Sequence, residues 1–151
     1  MPESNIERFD QLTGIVFSRL YDKFPVTVDL NVMDFGDILE PGELIEPLEI
    51  YTGSEQLEFF TGTIDWLIEA GYIVSRQKSA YAYTYEECTL TAKALEILKA
   101  TPVSLGGETL GGTLAAAVKD GAKSKLKELA SEVLSKGYGM ATTAAMNWAT
   151  S

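Results

Sequence analysis

The sequence predicts an α+β domain with a helical C-terminal extension, on three observations. Long stretches carry apolar residues at helical spacing, and short runs between them alternate as strands do. In addition, 46% of the 151 residues are hydrophobic, enough for one buried core in a domain of ordinary size. That apolar content excludes a disordered acidic chain, despite 22 acidic against 12 basic side chains.

The first helix is predicted over 4–24. Phe9, Leu12, Val16, Leu20 and Phe24 form its stripe, widened by Ile6, Phe17 and Tyr21. Ser4 and Glu7 have the spacing of a capping box. Gly14 costs about 1 kcal/mol in a helix interior, so it is expected where another backbone comes close. Pro25 stops the helix by pushing its predecessor out of the helical region. Val26-Thr27-Val28-Asp29-Leu30 then reads as a strand. Within 31–51, Phe35, Ile38 and Leu39 suit a short helix after Asp34. Pro41-Gly42 turns the chain, and Leu44, Ile45 and Leu48 follow in a stretch broken by Pro47.

A second helix is predicted from the Ser54 cap to Ala70, through Leu57, Phe60, Ile64, Leu67 and Ile68, with Gly71 as its left-handed stop. Tyr72-Ile73-Val74 and Tyr81-Ala82-Tyr83-Thr84-Tyr85 read as strands, and Arg76-Gln77-Lys78-Ser79 as the polar tip between them. Cys88-Thr89-Leu90-Thr91 leads into a helix with Ala94, Leu95, Ile97 and Leu98, ending before Pro102.

Two phrases in this order, Leu67-Ile68-Glu69-Ala70-Gly71-Tyr72-Ile73 and Leu90-Thr91-Ala92-Lys93-Ala94-Leu95-Glu96-Ile97-Leu98, flank the predicted hairpin. The run 57–98 thereby resembles the second half of a winged-helix domain, in which a helix, a two-stranded wing and a closing helix follow one another. The resemblance covers about 4–100 and implies a winged-helix-like domain over 1–102. Residues 103–151 would be a Gly/Ala-rich helical extension.

The superfamily's best-known activity is DNA binding through the helix before the wing, but a shared fold does not establish that activity. The residues disfavour nucleic acid. Residues 1–100 carry 18 acids and 7 bases, a net of -11, whereas 101–151 carry 4 acids and 5 bases, a net of +1. The would-be groove helix has Glu55, Glu58, Asp65 and Glu69 and no Lys or Arg between Ser54 and Tyr72. Recognition helices present cations and amides to phosphates and base edges. Arg76 and Lys78 are the wing's only cations, few beside the roughly 6–10 phosphate contacts of a specific binder. They carry the alternative reading, a DNA-binding transcriptional regulator.

The favoured reading is a non-catalytic protein-interaction or regulatory module. Its acidic surface would steer a basic partner, with aromatic anchors supplying contact area. Phe59 and Trp66 share a helix face offset from the Leu57–Ile64 stripe, beside Asp65 and Glu69; they are either anchors or core. Tyr81, Tyr83 and Tyr85 alternate along one strand face, to pack inward or to form a contact surface.

Pro102 to Gly112 reads as a glycine-rich connection without the pattern of a phosphate-binding loop. Leu110, Leu114, Ala117 and Val118 then form a short helix. Residues 122–136 are strongly amphipathic, with Leu126, Leu129, Val133 and Leu134 as the stripe and Gly137 as the stop. That face either docks on its own domain or pairs with a second copy; a homodimer is the preferred expectation. Met140–Ser151 is small and weakly apolar, with Trp148 as an anchor.

No chemistry is expected. With no histidine, His-ligated metals and His-based triads are excluded, and one cysteine excludes an internal disulfide. Cys88 lacks an activating base and reads as a structural thiol. Glu86 and Glu87 read as surface charge, and Asp34, Asp37 and Glu40 lack calcium-loop spacing. No cofactor is predicted. The polar start and the absence of long apolar windows predict no signal peptide and no transmembrane segment, with the cytoplasm as the default location.

Overall fold

The computed structural model describes residues 4–35, 55–79, 84–102 and 105–150, the side chains of 77–79 and 140–150 excepted. Five helices and three strands follow in the order α1 (Asn5–Lys23), β1 (Val28–Asn31), a 3-10 turn (Val32–Phe35), α2 (Glu55–Glu69), β2 (Ile73–Ser79), β3 (Thr84–Leu90), α3 (Ala92–Lys99), α4 (Leu110–Asp120) and α5 (Lys123–Thr150). The strands form one antiparallel sheet in the order β1-β3-β2, and the architecture is α+β.

Local chemistry accounts for the element ends. The Glu7 N–H donates to Ser4 Oγ at 3.2 Å, and the Ser4 N–H to Glu7 Oε2 at 3.3 Å, closing the capping box of α1. Before Pro25, Phe24 takes φ -53 and ψ 136, out of the helical region. Thr91 caps α3, accepting from the Ala94 N–H, while its hydroxyl donates to the Gly71 carbonyl at 2.7 Å. Gly71, at φ +83, turns the chain from α2 into β2.

The sheet departs from the expected boundaries. The first strand begins at Val28, and Arg76-Gln77-Lys78-Ser79 belongs to β2, opposite β3, instead of forming the tip. A strand at a sheet edge can be polar on a solvated face, so hydrophilicity alone did not mark a turn. Cys88 to Leu90 continue β3. Between Val28 and Leu30 the register shifts; Glu87 sits there at φ 53, its N–H bound to Asp29 Oδ1 at 2.9 Å. Glu86 and Glu87 thus stand opposite Asp29 alone and are themselves the two residues of a bulge. The helix after Asp34 with Ile38 and Leu39, the Pro41-Gly42 turn, Leu44, Ile45 and Leu48, the Ser54 cap, and Tyr81 and Tyr83 lie outside the described residues.

One apolar core runs through the molecule from Leu12 and Phe17 of α1 to Leu110, Leu114, Leu126, Leu129 and Val133. α1 packs against α4 and α5 as well as against β3 and α2, so nearly every residue from Gln11 to Leu20 is buried. Of the two outcomes expected for the 122–136 stripe, docking on its own domain or pairing with a second copy, the first is seen. Leu126, Leu129 and Val133 are 5%, 1% and 0% exposed within a single chain, and Leu134 packs against the same core. Each such burial stabilises the fold by about 1.5–3 kcal/mol. No second copy is needed to cover this face, and the described part of 103–151 belongs to the same core as the first hundred residues.

Glycines mark where these helices approach. A Cβ on Gly14 would lie 2.6 Å from Leu126 Cδ1, and one on Gly111 2.5 Å from the Tyr21 ring. Gly14 was expected to face another backbone; what comes close instead is the Leu126 side chain of α5. Gly137 was expected to stop the last helix, yet α5 runs through it to Thr150. There the missing side chain admits Tyr72, whose hydroxyl donates to the Leu134 carbonyl at 2.9 Å. Among the described residues, no helix is long and apolar enough to cross a membrane.

Candidate functional site

An apolar groove of about 460 Å³ opens between the first turns of α1 and the outer face of α2. Asn5, Ile6 and Phe9 line one side, and Glu58, Phe59, Gly62, Thr63 and Trp66 the other. Helical periodicity explains the arrangement. Ile6 and Phe9 are three residues apart on α1, while Phe59, Gly62, Thr63 and Trp66 recur at i, i+3, i+4 and i+7 on α2, one continuous stripe.

The aromatic rings are held in place. Trp66 meets Phe9 edge-on, with centroids 5.4 Å apart, and stacks on Tyr72 at 6.1 Å. Tyr72 is anchored by its hydrogen bond to α5, and Lys93 Nζ lies 4.2 Å from its ring centroid while donating to the Ala70 carbonyl at 2.8 Å. The Arg8 guanidinium covers the Phe59 ring at 4.6 Å. Even so, Trp66 remains 45% and Ile6 71% exposed. Phe59 and Trp66 are therefore neither fully core nor free of it: each rests on the core and shows one face to solvent.

The rim is acidic. Glu55, Glu58 and Glu69 are exposed along α2, which carries no Lys or Arg. Asp65 differs from its neighbours. One of its oxygens accepts the Tyr85 hydroxyl at 2.7 Å, so this carboxylate supports a buried ring as well as contributing charge. Burial first, and then Asp65, push the Tyr85 phenol well above its ordinary range, so the hydroxyl remains a donor. Tyr85 is 1% exposed and packs edge-on against Phe60, so of the three alternating tyrosines it is the one placed, and it is placed in the core.

The structure brings Phe59 and Trp66 together with Ile6 and Phe9, which the sequence offered only as members of the α1 stripe. It leaves Glu69 exposed on the rim and turns Asp65 partly inward. Arg76 is exposed on β2, on none of the elements that line the groove, and the Lys78 backbone pairs with Tyr85. Cys88 is 0% exposed and bonded to the Tyr85 carbonyl at 3.3 Å. Burial, its largest influence, pushes the thiol up to about 11. It stays protonated at neutral pH, the unreactive form.

Among the described residues, no group of three or more His, Cys, Asp or Glu is placed to hold a metal ion. No family model matches this chain, and neither a curated protein nor a solved structure matches it, so the groove is read from its own chemistry.

Proposed function

We propose that this chain is a non-catalytic protein-interaction or regulatory module of winged-helix type, acting through the α1–α2 groove. The observation that carries the reading is the pairing of partly exposed, pre-positioned aromatics with a rim of carboxylates. Rigid aromatic anchors concentrate binding energy, and surrounding charge steers association. The winged-helix assignment rests on the order of elements up to residue 99: α2 is followed by the paired strands β2 and β3, β1 lies beside β3, and α3 comes next. The cytoplasm suits a buried, unpaired thiol.

The test is affinity capture from lysate with wild-type protein and with Trp66→Ala and Ile6→Ser variants, compared quantitatively. Proteins retained by the wild type and lost by both variants support the reading; identical captures refute it. A titration of fluorescent mixed-sequence duplex DNA at about 50 mM salt distinguishes the regulator alternative. Saturable binding that weakens with salt and with Arg76→Ala would replace the proposal.

A further inference from the structure

Helix-interior glycines cost stability, about 1 kcal/mol each relative to alanine. At Gly14, Gly111 and Gly137 the cost has an internal reason, because Leu126, Tyr21 and Tyr72 occupy the space of the absent side chain. Gly62 of α2 has no such neighbour: a Cβ there would meet nothing within 4 Å. Gly139 is similarly open, but of the two it is Gly62 that lines the groove. The gap lies inside a line of acids, since Glu55, Glu58, Gly62, Asp65 and Glu69 follow one another by three, four, three and four residues along one helix face.

From this juxtaposition we infer that the groove receives an amphipathic helix from a protein partner, its bulky apolar side chain seated over Gly62 and its Lys or Arg residues facing Glu58 and Glu69. The inference rests on the protein-interaction reading and specifies the class of partner. Two arguments select the occupant. Both walls are helices and neither is a sheet edge, so no main-chain ladder invites an extended strand, and side chains at i, i+3 and i+4 must carry recognition. Arg8 lies over Phe59, whereas Glu55, Glu58 and Glu69 along α2 stand exposed, so the complementary charge is positive.

The test uses the full chain carrying Trp148→Phe, which leaves Trp66 as the sole tryptophan. Two synthetic peptides of about 14 residues, long enough to form a helix on binding, serve as probes. One has leucines at helical spacing with lysines elsewhere; the other replaces every lysine with glutamate. In about 150 mM salt, the Leu/Lys peptide is expected to shift Trp66 emission saturably, and the Leu/Glu peptide to bind at least tenfold more weakly. Gly62→Leu, which leaves the net charge unchanged, is expected to weaken the Leu/Lys peptide at least tenfold. Gly62→Ala is expected to raise the melting temperature yet weaken the peptide several-fold, so a loss of binding there is not a loss of folding. Leu/Lys binding that survives both Gly62 variants would overturn the groove while leaving an acidic interaction surface. Binding of neither peptide would overturn the helical, basic partner class, and the lysate comparison would then decide the broader reading separately.

Discussion

The contact between Gly14 and Leu126 yields a prediction whose sign changes with context. In an ordinary exposed helix, glycine to alanine gains about 1 kcal/mol. Here the added methyl would stand 2.6 Å from Leu126 Cδ1, 3.0 Å from its Cγ and 3.4 Å from Leu114 Cδ2. Leu114 is 0% exposed and has no open space into which to retreat; Leu126, 5% exposed, borders a cleft of about 170 Å³ beside Gln11, Ile15, Ala117 and Val118 and could move toward it only by giving up core contacts. Overpacking of this kind costs about 1–3 kcal/mol, which outweighs the helical gain. Gly14→Ala should therefore destabilise the protein by about 1 kcal/mol, lowering the melting temperature by roughly 2–4 °C for a chain of this size. Leu126→Ala should cost about 2–5 kcal/mol through lost burial and the cavity left behind. In that shortened background the Gly14 methyl has room and the helical preference returns, so the same Gly14→Ala change should stabilise by up to about 1 kcal/mol. The double-mutant cycle, followed by urea denaturation and circular dichroism, should give a favourable coupling of about 1–3 kcal/mol. If Gly14→Ala stabilises the otherwise unchanged protein, α5 does not dock there and the packing argument fails.

Other expectations are simpler. Gly137→Ala should destabilise by about 1–3 kcal/mol, because the methyl displaces Tyr72 from the Leu134 carbonyl, and Tyr72→Phe should show about 0.5–1.5 kcal/mol for the hydrogen bond alone; denaturant melts measure both. Glu87→Gly should stabilise by about 1 kcal/mol, since glycine tolerates φ 53 without the strain of a side chain; an unchanged midpoint would count against strain at the bulge. The folded Cys88 pKa is raised to about 11, so the native state holds its proton longer than the unfolded chain. The resulting stability is complete below about pH 9 and is lost as pH rises toward 11, a contribution of about 2–3 kcal/mol. Cys88→Ala should flatten that part of the stability profile, and an unaltered alkaline slope would refute the assignment. Light scattering should return the monomer mass of 16.4 kDa at micromolar concentration, because the amphipathic face of α5 is covered within the chain.

How far the sequence carried depended on whether a signal was local. Ser4 and Glu7 lie within one turn, and Pro25 acts on its immediate neighbour, so α1 could be read almost to the residue. The stripe through Leu126, Leu129 and Val133 was equally plain, but an amphipathic pattern states only that a face must be covered, and a second copy or α1 would satisfy it alike. Gly137 posed a similar ambiguity. A glycine after a helical stripe can supply a left-handed stop or admit a neighbouring ring, and Tyr72, which decides between them, lies 65 positions earlier. Half of the groove was visible in the seven-residue spacing of Phe59 and Trp66. Its other wall comes from Ile6 and Phe9, and only the packing of α1 against α2 brings the two together.

The burial of α1 by the helices at the opposite end of the chain also has a consequence for biosynthesis. Residues 5–23 leave the ribosome about 100 residues before Leu126 does, and at about 5–20 residues per second that interval lasts roughly 5–20 seconds. Throughout it, the apolar side of α1 that α4 and α5 later cover has no permanent neighbour. The nascent chain therefore depends on transient shielding, by a chaperone or by non-native collapse, until the last helices arrive. Mutations that slow their docking should reduce the yield of soluble protein more than their effect on equilibrium stability would suggest.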